Sequence, residues 1–210
     1  PLISVIIPVQ NRRIELKRAL DSILQQTFLD IEIIIIDDFS SLRVCVIGDL
    51  ILDEYITCEP LGMSQEDPTI VVTPVDTTRF IGGAGIVAAH AVGLGAKVEF
   101  ITVVGNDSSH TFAENKLSEF GVTTSLIVDD SRPTTVKQRF RSKGKTLLRV
   151  SHLHQSTISP SLQSIFLKNI KSIIDKVDLL VFSDFNYGCL PQDLVDQIVT
   201  LAKEKNVMLA

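Results

Sequence analysis

Residues 79–107 read RFIGGAGIVAAHAVGLGAKVEFITVVGND, and this stretch decides the architecture. Gly82, Gly83 and Gly85 carry no side chain that would hold a ligand away from the backbone, and they open directly onto an alanine-rich helix. The helix is expected from Ile86 to about Leu94. Ala88, Ala89, Ala91 and Gly93 are small enough to lie close on a sheet, and Gly95 ends the helix before a buried strand from Val98 to Val104. Glycine turn, helix and buried strand in that order read as one βαβ-type unit of an α/β protein.

Three readings of the glycines compete. Gly83-Ala84-Gly85-Ile86-Val87-Ala88 fits the GxGxxA form of a dinucleotide fingerprint, but that motif needs a buried strand before its first glycine. Thr77-Thr78-Arg79 looks instead like an exposed edge. A purely structural turn stays open, and sugar binding is the reading that the rest of the chain favours.

With 210 residues and 45% hydrophobic content, the chain is long enough to bury a substantial core in one large domain or two small ones. A formal charge of -5 argues against nucleic acid or a membrane surface as partner. The apolar runs, such as Ile33 to Ile36, are strand-sized and too short to span a bilayer. Cys45, Cys58 and Cys189 are odd in number and far apart, which suggests neither a disulfide framework nor a zinc site and fits a reducing cytoplasm.

The chain opens with an apolar strand, Ile3 to Val9, a helix of period 3.6 from Arg12 to Gln26, and a second strand, Ile31 to Ile36, running into Asp37 and Asp38. The stretch SVIIPVQNRRIELKRALDSILQQTFLDIEIIIIDDFSS resembles the opening of a family 2 glycosyltransferase of the GT-A fold. The resemblance covers residues 1–41 and implies that Asp38 helps hold a nucleotide sugar. The Asp-x-Asp metal motif of that family does not occur, since no two aspartates are separated by one residue. Without paired carboxylates for a divalent cation, a diphosphate leaving group is poorly neutralised.

At Ser40-Ser41-Leu42 the pattern restarts with a strand, Arg43 to Ile47, ending in Gly48-Asp49. Asp49 and Asp53 are read at its carboxyl end, where open α/β sheets bind ligands, and two carboxylates there accept hydrogen bonds from sugar hydroxyls. Gly48-Asp49 as a plain turn is the competing reading. Residues 69–80 and 134–149 alternate in the manner of edge strands, interrupted in the first case by Pro74, and suggest a small sheet over the glycines. Thr135, Lys137, Arg139 and Arg141 share one face of the second piece, either as an anion site or as a charged edge that prevents aggregation. His152 and His154 share a strand face without a third ligand nearby, and His90 reads as a packed or surface residue. The last third repeats α/β logic: a helix begun by Ser159-Pro160, a strand from Asp178 to Phe182, a helix from Pro191 to Lys205 and a strand from Val207 to Ala210. Asp184 follows the first of these strands.

VCVIGDLILDEYI, FIGGAGIVAAHAVGLGAKVEFITVVGND, RPTTVKQRFRSKGKTLLRV and LLVFSDFNYGCL, in this order, resemble the ribokinase/PfkB superfamily of carbohydrate kinases, and within it the kinase domain of bacterial ADP-heptose synthases. The resemblance spans residues 42–210. It implies a mostly parallel three-layer α/β core with a small β lid, preceded by the N-terminal βαβ unit. It implies a sugar or sugar phosphate held by Asp49, Asp53, Gly82, Gly83 and Asp184, with Lys137 and Arg139 contributed by the lid, and a homodimer formed through that lid. ATP and Mg2+ serve the family, and neither is expected to bind fully to this chain. Three departures bear on activity. Ile86 stands where the family has Asn, and Ile cannot hydrogen-bond a hydroxyl. Tyr187 stands where the heptose kinases have Lys. The catalytic Gly-Ala-Gly-Asp does not occur: the last glycine, Gly188, is followed by Cys189. The expected function is therefore the sugar-binding half of such a kinase, inactive by itself. The alternatives are a non-catalytic sugar-binding or assembly module and a glycosyltransferase fragment using a nucleotide sugar.

Overall fold

The structure, a computed structural model, describes residues 3–8, 13–25, 31–36 and 39–210. In chain order the first elements are β1 (Ile3–Pro8), α1 (Arg13–Leu24), β2 (Ile31–Ile36), β3 (Arg43–Gly48), β4 (Leu50–Met63), β5 (Ile70–Gly82), α2 (Gly83–Gly93) and β6 (Lys97–Val104). There follow α3 (Ser108–Glu119), β7 (Thr123–Val128), β8 (Val136–Ser142), β9 (Lys145–His152), α4 (Pro160–Ile173), a 3-10 turn (Ile174–Lys176), β10 (Leu179–Ser183), α5 (Gln192–Glu204) and β11 (Met208–Leu209).

Strands β1 and β2 pair in parallel across the α1 crossover, with Ile3 opposite Ile31 and Pro8 opposite Ile36, in a two-stranded sheet of their own. The main sheet has the order β11-β10-β3-β6-β7, and every neighbouring pair is parallel. Its central strand is apolar without alternation because both of its faces are covered. Val44 and Val46 face a core closed by α2 and α3, with Phe100, Ala84, Ala88, Ala113 and Leu117. Cys45 and Ile47 face a second core closed by α4 and α5, with Ile101, Phe166, Ile170, Leu194 and Ile198. The result is the mostly parallel three-layer α/β fold expected from sequence. Among the described residues no helix is long and apolar enough to cross a membrane.

Strands β5, β4, β8 and β9 form a separate four-stranded sheet in that order, antiparallel at β4/β5 and β8/β9 and parallel at β4/β8. Two expectations change here. Helix α2 begins at Gly83 rather than Ile86, and because β5 and β6 belong to different sheets, α2 links two sheets instead of completing a βαβ unit within one. Asp53 does not lie at the end of β3. The chain turns at Gly48, φ +146°, straight into β4, which carries Asp53 into the small sheet opposite Phe80 and Lys137. A side chain at Gly48 would run into the Ser183 carbonyl, so the turn depends on glycine.

The loop from β7 to β8 is anchored by Asp107, which caps α3. Its Oδ1 accepts from the His110 N–H at 2.9 Å and its Oδ2 from the Thr134 N–H at 2.8 Å. Burial pushes this carboxyl up, but the N–H donors of Thr134 and His110 outweigh it and hold the pKa below the ordinary 3.8. Asp107→Ala is expected to cost about 1 to 3 kcal/mol at neutral pH, since it removes a cap and orphans the Thr134 N–H. A depressed folded-state pKa means that this contribution is present above the ordinary value and lost as the pH falls through the folded one. Thermal melts of both proteins across the acid range should therefore show the stability gap closing at low pH. A gap that stays constant would show that the carboxylate charge is not its origin.

Candidate functional site

The main sheet changes direction between β3 and β10: after β3 the chain adds β6 and β7 on one side, and later β10 and β11 on the other. The crevice outside the carboxyl ends of two such strands is where open α/β sheets take ligands. Ser183 is level with Gly48 across this point, so the next residues, Asp49 and Asp184, flank the crevice. Asp49 is 4% exposed, and its Oδ2 accepts from the Phe185 N–H at 2.8 Å and the Tyr187 N–H at 3.3 Å. Burial raises its pKa above the ordinary value; the two backbone donors oppose this, and the adjoining Asp184 carboxyl adds to it. The Asp49 backbone is engaged as well, its carbonyl accepting from the Ala84 N–H at 2.9 Å at the start of α2.

Gly83 has φ +56°, and a Cβ there would overlap that same Asp49 carbonyl. At Gly82 an added Cβ would sit 2.5 Å from Asp53 Oδ2. Both glycines therefore let the strand-to-helix junction lie against the two aspartates. Ile86 does not face a polar role but packs against the α2 side of the core. Thr102, a buried hydroxyl in an apolar strand, donates to the Gly48 carbonyl at 2.7 Å and accepts from the Leu50 N–H at 3.3 Å, which pins both sides of Asp49. Its signal in the sequence is a lone polar residue in the run Phe100 to Val104.

On the small sheet, alternation places Asp53, Tyr55 and Thr57 of β4 on one face, level with Lys137, Arg139 and Arg141 of β8. Arg139 Nη1 is ion-paired with Asp53 Oδ1, and its guanidinium lies 5.2 Å from the Tyr55 ring. The Lys137 ammonium lies 5.0 Å from the centre of the Tyr187 ring and 5.8 Å from that of Phe185. Tyr187, standing where the resemblance led to an expected Lys, thus meets Lys137 with a π face in place of a like charge. A cavity of about 610 Å³ on this face is lined by Asp53, Tyr55, Thr57, Thr78, Phe80 and Arg141. Tyr55, Phe80 and Phe185 carry no signal in the sequence, being single aromatics without a period, and Tyr187 stands out only as a departure from the family. The expected residues thus form one contact chain: Lys137, the loop from Phe185 to Tyr187, Asp49, Gly83, Gly82, Asp53 and Arg139, with Asp184 beside Asp49.

Other expected positions fall elsewhere. Asp38 lies outside the described residues. His90, His152 and His154 are exposed, and His152 Nε2 is 3.1 Å from Gln138 Oε1. The three cysteines are buried and unpaired; burial, with the Asp49 charge adding to it, pushes the Cys189 thiol up to about 12. A second cavity of about 460 Å³ opens at the opposite end of the main sheet, beside Arg43, Lys97, Glu99 and Lys176, far from this chemistry.

Residues 41–210 match the pfkB family of carbohydrate kinases. The chain belongs to that family. Residues 4–46 match glycosyl transferase family 2. Among relatives of the pfkB part, the bifunctional protein HldE of Desulfatibacillum aliphaticivorans is 34% identical over 166 residues, which cover 79% of this chain and 34% of that protein. HldE of Helicobacter hepaticus is 34% identical over 170 residues, 80% of this chain and 35% of that protein. The chain thus spans about a third of the length of these relatives. In fold it is similar to a carbohydrate kinase from Agrobacterium tumefaciens, with TM-score 0.61 and 17% identity over 80% of this chain and 52% of that one. It is similar also to phosphofructokinase-2 of Escherichia coli in complex with fructose-6-phosphate, with TM-score 0.61 and 13% identity over 80% of this chain and 54% of that one.

Proposed function

We propose that residues 42–210 are the sugar-binding half of a pfkB-type kinase, and that residues 1–41 are a distinct glycosyltransferase-like unit. The parent reaction is ATP-dependent phosphorylation of a sugar or sugar phosphate of the heptose 7-phosphate class. The observation that carries this reading is the contact chain from Lys137 through Asp49 and the glycines to Asp53 and Arg139. In it Asp49 and Asp53 accept hydroxyl hydrogen bonds, Gly82 and Gly83 let the strand-to-helix junction lie against both carboxylates, and Lys137 and Arg139 attract the phosphate of the sugar. Asp184, beside Asp49, offers a further acceptor for a sugar hydroxyl at the same strand end.

Among the described residues no group of three His, Cys, Asp or Glu side chains is placed to hold a metal ion. With no Gly-Ala-Gly-Asp in the sequence to supply a base, we assign these 210 residues to sugar binding and not to phosphoryl transfer. The small sheet serves as the lid, and we propose that its exposed apolar residues, among them Leu61, Ile70, Val71, Val75 and Leu148, pair it with a second copy. Sedimentation equilibrium is expected to give a dimer that Val71→Lys and Leu148→Lys together split. A monomer at high micromolar concentration would refute the pairing.

Lys137 is the cleaner probe of the phosphate, because Arg139 already neutralises Asp53 and its loss would disturb hydroxyl binding too. A charge-assisted hydrogen bond is worth about 1.5 to 3 kcal/mol, so Lys137→Ala should weaken heptose 7-phosphate binding roughly ten- to hundredfold and leave the unphosphorylated heptose nearly unaffected. Arg139→Ala should weaken both. Calorimetry with the two sugars decides the matter: equal losses for Lys137→Ala would make it a fold residue, and no loss would leave the basic row as a solvated edge.

A further inference from the structure

The loop that clamps Asp49 is poorly held by its own sequence. Asp184, Phe185 and Asn186 are exposed, Asn186 has φ +60°, and within the loop the Asn186 N–H donates only to Asp184 Oδ1, at 2.8 Å. Asn tolerates this left-handed backbone, but one side-chain contact does not fix where the loop lies. Support comes from Gly188 and from one distant side chain. Gly188, φ +83°, lies so close to the Ser156 carbonyl that a Cβ would overlap it, and its own carbonyl accepts from the Ile158 N–H at 3.0 Å.

The distant side chain is Arg132, on the loop from β7 to β8. It is 7% exposed, and its guanidinium spans three segments. Nε donates to Asp129 Oδ2 at 2.7 Å, Nη1 to the Tyr187 carbonyl at 3.3 Å and Nη2 to the Ser156 carbonyl at 3.0 Å. Asp129 is fixed in turn, its Oδ1 accepting from the Ser131 N–H at 3.0 Å and the Ser131 hydroxyl at 2.6 Å. A local ion pair would need only the Asp129 contact. The two terminal nitrogens instead go to carbonyls 24 and 55 residues away, which a planar fork can reach together and an ammonium cannot.

We propose that Arg132 is a positioning residue for the sugar site: it grips the Tyr187 carbonyl so that the Phe185 and Tyr187 N–H groups stay aimed at Asp49, which presents its carboxyl to the sugar. This rests on reading Asp49 as a sugar ligand. It also ties the root of the lid strand β8 to the rim of the crevice, because residues 129–135 carry both Arg132 and the entry to β8.

The test compares the full 210-residue chain with Arg132→Lys, which keeps the charge beside Asp129 and loses the fork. Amide hydrogen exchange is followed by NMR without ligand, and heptose 7-phosphate binding by calorimetry. Exchange at Phe185 and Tyr187 is expected to accelerate about tenfold or more, with Leu180 and Val181 of β10 unchanged, and the dissociation constant is expected to rise about tenfold. Asp129→Asn, which keeps the shape but not the charge that aims the guanidinium, should give the same loop-specific acceleration to a smaller degree and serves if Arg132→Lys does not fold. The proposal is overturned if exchange at Phe185 and Tyr187 stays at the wild-type rate, or if it rises only in step with β10. It is also overturned if binding weakens without any change at these two amides. A wild-type chain that binds no heptose 7-phosphate would defeat the sugar-site reading itself, and that failure is distinct because the exchange comparison needs no sugar.

Discussion

A buried carboxylate has to be paired, hydrogen-bonded or protonated, and the way Asp49 meets that demand shapes the centre of this molecule. Its side chain takes two N–H groups from the loop after β10, and its backbone carbonyl takes one from the first turn of α2. Two separate parts of the chain are thereby drawn to the end of β3. Gly48 and Gly83 follow from the same constraint, since a side chain at either would strike the carbonyls that close the arrangement. The burial that raises the Asp49 pKa therefore comes from the same contacts that build the crevice.

The small sheet shows a division of labour that follows from the two-residue period of a strand. On β4, Leu52, Glu54, Ile56 and Cys58 are buried, while Asp53, Tyr55 and Thr57 on the other face meet the cations of β8 and line the cavity. Glu54 is the polar exception on the buried face, satisfied by Arg79 Nε at 2.6 Å and Gln138 Nε2 at 2.8 Å. It links β5, β4 and β8 laterally, so the sheet is cross-braced on its inner face, while on its outer face Arg139 pairs with Asp53.

Much of this was legible in the sequence because period and punctuation carry it. The unbroken apolar run of β3, the small residues of α2 and the Ser159-Pro160 start of α4 each follow from local rules, and Ser159 Oγ does accept from the Leu162 N–H. What escaped was long-range. Nothing local in the sequence signals that the chain leaves β3 for another sheet at once, so Asp53 reads as lying just past the end of β3 although it belongs to β4. Helix α3, with its Asp107 cap, and strand β7 passed unread because 108–128 mixes polar and apolar residues without a strong period. Arg132 and Thr102 have no local signal beyond being polar, and their partners lie tens of residues away.

The central claim is that a sugar is held between the Asp49 end of β3 and the cation-bearing face of the small sheet. A crystal structure of the 210-residue chain soaked with heptose 7-phosphate tests it directly. The account predicts sugar hydroxyls within hydrogen-bond distance of Asp49 and Asp53 and the phosphate nearest Lys137. Ligand density at the opposite end of the main sheet, beside Arg43, Lys97 and Lys176, with the Asp49 crevice empty, would contradict it.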